Sequence, residues 1–305
     1  MASLSRRTFL VTAGAVGAGV VLAACGGDDS ASSIPTADAS ASGSSPSGTG
    51  DASRPSRVLV RFAADGILAV GKTQRLPVGL ADADGLLLID TPATFTAQIV
   101  SQDGKPVGAP LTVDRHAQDL PRPYYPFIMN IAEPGTYALV GTVDGVQVNT
   151  AFSILDASKV SIPQPGDQMV PVVTPTTADA QGVTPICTRQ PACDLHQQTL
   201  TDALKAAKPV AFLVATPAYC QTAACGPVLD VLLGQQSEFG DKVQMVHAEV
   251  YTDSSLKNTT QAVQDYHLTF EPVLYLAGAD GVIHTRLDSI FDTNELRDAL
   301  NALVS

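Results

Sequence analysis

Thr216-Pro-Ala-Tyr-Cys220-Gln-Thr-Ala-Ala-Cys225-Gly-Pro227 is the stretch on which the reading of this chain turns. The apolar run Pro209 to Ala215 precedes it and a second, Val228 to Leu233, follows it. That order implies a buried strand, a cysteine-bearing loop and a helix. Pro227 suits the first helical position, where its missing N–H would be unpaired anyway. Cys225 or Gly226 then lies at the helix entrance, where the partial positive charge of the macrodipole favours a thiolate. Residues five apart in a continuous helix have Cα atoms about 8.6 Å apart, beyond the roughly 4.4–6.8 Å that a disulfide accepts. Joining the two cysteines therefore requires Cys220 to lie outside the helix, with residues 221–224 turning back. Two readings stay open: a structural bridge or inert thiols, and a redox-active pair in which the looped-out Cys220 attacks and Cys225 resolves.

Outward from this stretch, residues 186–305 alternate helical and strand patterns. Leu195–Ala207 predicts an amphipathic helix and Lys208–Ala215 a strand; Val228–Gln236 continues a helix and Val243–Tyr251 is a second apolar strand. Leu256–Tyr266 reads as helix. Phe270-Glu-Pro272-Val273 leads a strand to Ala277, an Asp280-Gly281 turn, a strand over 282–287 and a final helix from Thr293 to Val304. Such alternation implies an α/β layer structure.

Over 186–305 these residues resemble the thioredoxin superfamily. Cys225-Gly-Pro227 echoes that family's active-site turn, Cys220 after Tyr219 matches its first cysteine, and Pro272 matches its cis-proline facing the cysteines. The resemblance implies thiol–disulfide exchange, with Cys220, Cys225 and Pro272 as catalytic residues. The chain departs from the family in having C-x4-C spacing, and Leu213 and its apolar neighbours replace the acid of the preceding strand. Thr216-Pro217 with Cys220 and Ala224-Cys225 is also similar to some peroxiredoxins, with one extra residue and no arginine in the stretch before Tyr275. Copper-delivering proteins of the Sco type combine close cysteines with a distant histidine, for which His247 or His267 are candidates.

Ser5-Arg6-Arg7-Thr8-Phe9-Leu10 is a twin-arginine export signature, followed by an apolar run from Val11 to Ala24 that is short for a permanent membrane span. Leu22-Ala-Ala-Cys25 resembles a bacterial lipobox, which implies cleavage after residue 24, lipidation of Cys25 and anchorage on the outer face of the cell membrane. Of 5 cysteines, four then remain in an oxidising compartment: Cys187, Cys193, Cys220 and Cys225. Local bridges, 187–193 and 220–225, are the expected connectivity. Pro191 favours a loop between the first two, read as a staple or as a second exchange pair relaying electrons to Cys220. Paired C-x2-C spacing, the mark of a four-cysteine zinc site, is absent. No metal and no cofactor are expected.

The formal charge is −12, and loss of Arg6 and Arg7 with the signal, which holds no acid, makes it −14. So acidic a chain excludes nucleic acid as a partner and excludes polybasic docking on lipid, leaving lipidated Cys25 as the membrane attachment. Residues 26–55 are mostly Gly, Ser, Ala, Asp and Pro with hardly a large apolar side chain, too polar to offset their ordering entropy, and 25–55 reads as a disordered tether.

Residues 56–156 predict an all-β domain. Strands flank Asp65-Gly66, Asp103-Gly104 and Asp144-Gly145, and Tyr124–Ile131 and Thr136–Thr142 flank Glu133-Pro-Gly135. About seven short strands at this spacing resemble an immunoglobulin-like sandwich. Gly66-Ile-Leu-Ala-Val-Gly71-Lys72-Thr73 satisfies the phosphate-loop pattern, but its interior suits a strand, so nucleotide is excluded as a partner. Asp82-Ala-Asp84-Gly85 reads as a turn, lacking the later ligands of a calcium loop. Prolines at 163, 165, 171, 175 and 185 make 157–185 a semi-rigid linker, with Val170–Val173 as a possible edge strand.

The expected architecture is therefore two-domain: signal 1–24, tether 25–55, an immunoglobulin-like all-β sandwich 56–156, a Pro-rich linker 157–185 and an α/β thioredoxin-like domain 186–305. The expected partners are extracytoplasmic protein thiols or disulfides. The competing reading is a non-enzymatic surface lipoprotein whose disulfides are structural.

Overall fold

The computed structural model describes residues 57–305. The export signal 1–24, Cys25 and the tether 25–55 lie outside the described residues. The chain from 57 begins as two antiparallel sheets, with helices confined to its second half. The first sheet orders β1 (Val58–Arg61), β2 (Gln74–Ala81) and β5 (Tyr125–Met129) as β1-β2-β5. The second orders β3 (Thr94–Ser101), β4 (Pro106–Asp114), β6 (Gly135–Val143) and β7 (Val146–Ile154) as β4-β3-β6-β7. On β3 the residues alternate: Phe95 and Ala97 are buried while Thr94 and Thr96 face water. That is the period of a strand covered on one face. Asp144 and Gly145 both take positive φ, the condition for the tight turn between β6 and β7. At Gly141 an added Cβ would lie 2.6 Å from the Phe95 ring and 2.9 Å from the Thr96 carbonyl. Only glycine lets β6 pass under that ring.

One expectation for this region changes. Asp65-Gly66 makes a turn but no hairpin: residues 67–70 contribute a single bridge, Ala69 to Leu155, and β1 pairs with β2 instead. The reason is burial, since Ile67 and Leu68 are drawn into the core and leave the strand line. β2 itself occupies the residues that follow the phosphate-loop pattern, where a nucleotide site would need a helix. Lys72 Nζ donates to the Pro165 carbonyl at 2.9 Å. Asp82–Gly85 is a turn, with Asp82 Oδ1 accepting the N–H groups of Asp84 and Leu86.

Residues 157–185 hold one short 3₁₀ turn, Ala157–Lys159, and then run irregularly across the second half. Val170–Val173 forms no strand. Gln168 makes one bridge to Val282 and Thr184 one to Asp253, while Ile162, Met169 and Val172 are buried.

The second half contains α1 (Leu200–Lys205), β8 (Val210–Val214), α2 (Cys225–Gly234), α3 (Gln236–Phe239), β9 (Gln244–Ala248), α4 (Gln261–Asp265), β10 (Val273–Ala277), β11 (Ile283–Asp288) and α5 (Thr293–Val304). The sheet order is β11-β10-β8-β9, with β8 and β9 parallel and the other pairs antiparallel. Every residue of β8 and β10 is buried, as central strands covered on both faces require. The first helix is shorter than its apolar pattern predicts: Leu195 and His196 are buried ahead of it, and it starts only at Leu200, capped by the Thr199 side chain.

A buried cluster runs through both halves, and the described residues belong to one compact unit. The N-terminus of α5 is where polar contacts tie them together. Asp292 caps it by accepting the Glu295 N–H at 2.8 Å, and also accepts the N–H groups of Ala117 and Gln118, each at 3.0 Å. His116 Nδ1 lies 2.9 Å from Asp292 Oδ1. Arg75 on β2 reaches Glu295 through Nε at 2.5 Å and Nη2 at 2.7 Å, and donates to the Asp288 and Ile290 carbonyls. Tyr124 donates to the same Glu295 carboxylate. Among the described residues no helix is long and apolar enough to cross a membrane.

Candidate functional site

The apolar run Pro209–Ala215 forms β8, and the chain leaves its end through Thr216 and Pro217 into the loop. α2 begins at Cys225, so Pro227 is its third residue and not its first; it still falls among the N–H groups that a helix leaves unpaired. Residues 221–224 turn back, and Cys220 and Cys225 are bonded as a disulfide with Cα atoms 6.0 Å apart. Cys225 is fully buried and Cys220 half-buried beside exposed Gln221, Thr222 and Ala223. The two sulfurs are therefore unequal: a reagent from solvent meets Cys220 first. The Cys225 N–H at the head of α2 donates to Cys220 Sγ at 3.3 Å, a polarisation that favours a thiolate there once the bond opens.

The peptide bond before Pro272 is cis, and the residue preceding it, Glu271, brings the carboxylate that β8 lacks. Glu271 Oε2 lies 3.3 Å from Cys225 Sγ and accepts the Thr216 N–H at 2.6 Å. Burial raises the Glu271 carboxyl to about 7, the nearby Glu249 adding to the rise and the Thr216 N–H opposing it. A carboxyl with that pKa can take up or release a proton near neutral pH. Sequence reasoning missed Glu271; its signal was an acid immediately before the matched proline.

Behind the loop sits a second carboxyl. Glu249 is buried and accepts the Thr188 N–H at 2.6 Å and the Thr188 hydroxyl at 3.1 Å. Thr188 Oγ1 accepts the Ala218 N–H at 3.1 Å. Thr216 Oγ1 accepts the Val250 N–H at 2.7 Å. The loop is thus tied from below at Thr216 and Ala218 while its tip, 220–224, stays open.

Cys187 and Cys193 were expected as a bridge. They stand as two separate thiols with sulfurs 3.6 Å apart, and the Cys193 N–H donates to Cys187 Sγ at 3.3 Å. Both face histidines. His247, a candidate copper partner for the 220–225 pair, belongs to this other group: its Nδ1 is 3.5 Å from Cys193 Sγ. His267 is exposed at the end of α4, in a left-handed backbone conformation.

No protein-family model matches the chain and no curated protein matches it. Among solved structures, it is similar to a protein assigned as a thiol:disulfide interchange protein DsbE from Chlorobium tepidum. That likeness has 12% identity and a TM-score of 0.35, and covers 48% of this chain and 100% of that one. It is also similar to a conjugative transposon lipoprotein from Bacteroides eggerthii, with 8% identity and a TM-score of 0.22, covering 34% of this chain and 100% of that one. At these scores neither likeness carries an argument, and the site is read from its own geometry.

Proposed function

We propose that the chain is a thiol–disulfide oxidoreductase with a thioredoxin-like second half and an immunoglobulin-like first half, exported and held at the outer face of the membrane through lipidated Cys25. The domain bounds go with this reading: 56–156 for the sandwich, 157–185 for the linker and 186–305 for the thioredoxin-like part. The observation that carries the proposal is the placement of buried Cys225 Sγ 3.3 Å from Glu271, with half-buried Cys220 in front of it.

In the reducing direction, the Cys220 thiolate attacks one sulfur of a substrate protein's disulfide. The substrate S–S bond breaks, its far sulfur leaves as a thiolate and takes a proton, and Cys220 is left in a mixed disulfide. Cys225 passes its thiol proton to Glu271, and the resulting thiolate attacks Cys220 Sγ. The 220–225 bond forms and the second substrate thiol departs. Two electrons pass to the substrate; the reverse sequence oxidises a substrate dithiol and consumes the 220–225 bond. Pro272 borders Glu271 and shapes the surface that receives the substrate.

The structural-staple reading is weak on magnitude. Closing a loop this short constrains the unfolded chain by only about 2 kcal/mol in the chain-entropy model. The test is a trapping experiment. Cys225→Ser should accumulate mixed disulfides through Cys220, while Cys220→Ser should trap none. Failure of both variants to alter reduction of a protein disulfide, together with a potential for the 220–225 bond below about −300 mV, would leave only a staple.

A further inference from the structure

We propose that Cys187, Cys193, His196 and His247 form a binding site for one tetrahedral zinc ion. This site is separate from the exchange pair and uses the other two cysteines. Their donor atoms, two Sγ and two ring nitrogens, all lie within 4.8 Å of one another; Cys187, His196 and His247 are buried and Cys193 is half-buried. Cys187 Sγ to Cys193 Sγ is 3.6 Å, Cys193 Sγ to His247 Nδ1 is 3.5 Å, and His247 Nδ1 to His196 Nε2 is 3.1 Å. Zinc bonds of about 2.3 Å to sulfur and about 2.0–2.1 Å to nitrogen, at tetrahedral angles, place such donors about 3.8, 3.6 and 3.4 Å apart. These three separations fall within about 0.3 Å of that pattern.

The fold explains why these four meet. His247 sits on β9, and its backbone N–H donates to the Leu195 carbonyl at 3.2 Å, which lays residues 195–196 against the strand. The two imidazole rings consequently lie with centroids 4.9 Å apart, tilted 58° to one another. The loop from Cys187 to Cys193 folds over them. In sequence the pattern is C-x5-C-x2-H, with the fourth donor supplied by β9.

The hydrogen bonding favours a cation at the centre. His247 Nε2 lies 2.9 Å from the Ala215 carbonyl, which can only accept, so the ring proton is on Nε2 and the Nδ1 lone pair points into the cluster. A carbonyl holding the outer N–H of a ligating histidine is the usual way its orientation is fixed. His196 Nδ1 is buried without a partner among the described residues. Its Nε2 faces the cluster. Two thiolates would neutralise a divalent ion, so the filled site would carry no net charge into the core, and two sulfurs with two imidazoles is a zinc donor set.

The test is a zinc titration of the full chain, reduced and freed of metal, against a chromophoric chelator. One zinc ion per chain is expected. Cys187→Ser and His196→Gln should each weaken binding a hundredfold or more, and the Cys220→Ser, Cys225→Ser double variant should still bind one ion. Cobalt(II) replacing zinc should give the absorption of a tetrahedral thiolate complex in the wild type. The wild-type stoichiometry does not depend on any variant folding. No zinc bound by the reduced wild type, copper(I) bound in its stead, or zinc retained by Cys187→Ser and lost in the double variant would each overturn the proposal.

Discussion

Replacing Glu271 by glutamine tests the exchange site most directly, because one change should alter stability and rate with different pH signatures. The carboxyl is raised from 4.5 to about 7 by burial. A shift of that size is at most about 3 kcal/mol between the two protonation states, less whatever the partly open site loses to solvent screening. With the folded pKa above the unfolded one, the group's stabilising contribution is complete below about 4.5 and is lost as pH rises through about 7. Glutamine keeps an acceptor for the Thr216 N–H and carries no charge at any pH. Denaturant unfolding of the oxidised protein should therefore show little difference at pH 4 and a gain of up to about 3 kcal/mol for Glu271→Gln at pH 8. The rate should respond in the opposite sense. Removing a positioned proton acceptor should slow resolution of the mixed disulfide by about 100-fold or more. The wild-type inflection near pH 7 should disappear, as read by stopped-flow single-turnover exchange between pH 5.5 and 8.5. Equal pH–rate profiles in both proteins, with no pH-dependent stability difference, would refute the role given to Glu271.

Two further outcomes concern the junction at α5. Arg75→Met leaves the Glu295 carboxylate buried without its guanidinium, and should lower the denaturant midpoint by the equivalent of about 3–5 kcal/mol; a loss under about 1 kcal/mol would mean that the pair does not hold the halves together. Burial lowers the pKa of His116, but the hydrogen bond and charge of Asp292 outweigh it and leave it raised from 6.5, with Glu295 reinforcing and Arg75 opposing. The stability it contributes is complete below about 6.5 and is lost as pH rises through the folded value, so the unfolding midpoint should fall as pH rises above about 6.5 in the wild type, and this component should vanish in His116→Gln.

The parts of the fold legible in the sequence were those whose signal is local. α5 runs from Thr293 to Val304 as its pattern predicts, because Asp292 caps it and its apolar residues repeat at helical spacing. Asp103-Gly104 joins β3 to β4 for a similarly local reason. β2 was illegible because Pro77 and Gly79, which look like breakers, interrupt the alternation of Leu76, Val78 and Leu80. Pro77 is accommodated opposite Pro126 on β5. At the site, the strand–loop–helix order and the need for Cys220 to lie outside the helix could be read from spacing alone. Glu271 could not, because its meeting with Cys225 depends on β10 lying beside β8. His196 was hidden inside an apparent helix that does not extend back to it.

The segment 215–218 has neighbours on both sides. Ala215 lends its carbonyl to His247, Thr216 gives its N–H to Glu271, and Ala218 gives its own to Thr188, next to Cys187. Four residues thus act as a shared hinge pin between the buried histidine–thiol group and the solvent-facing sulfur. Any coupling carried through this segment obeys reciprocity. Whatever factor the state of the inner group imposes on the equilibrium of the outer bond, breaking that bond imposes in return.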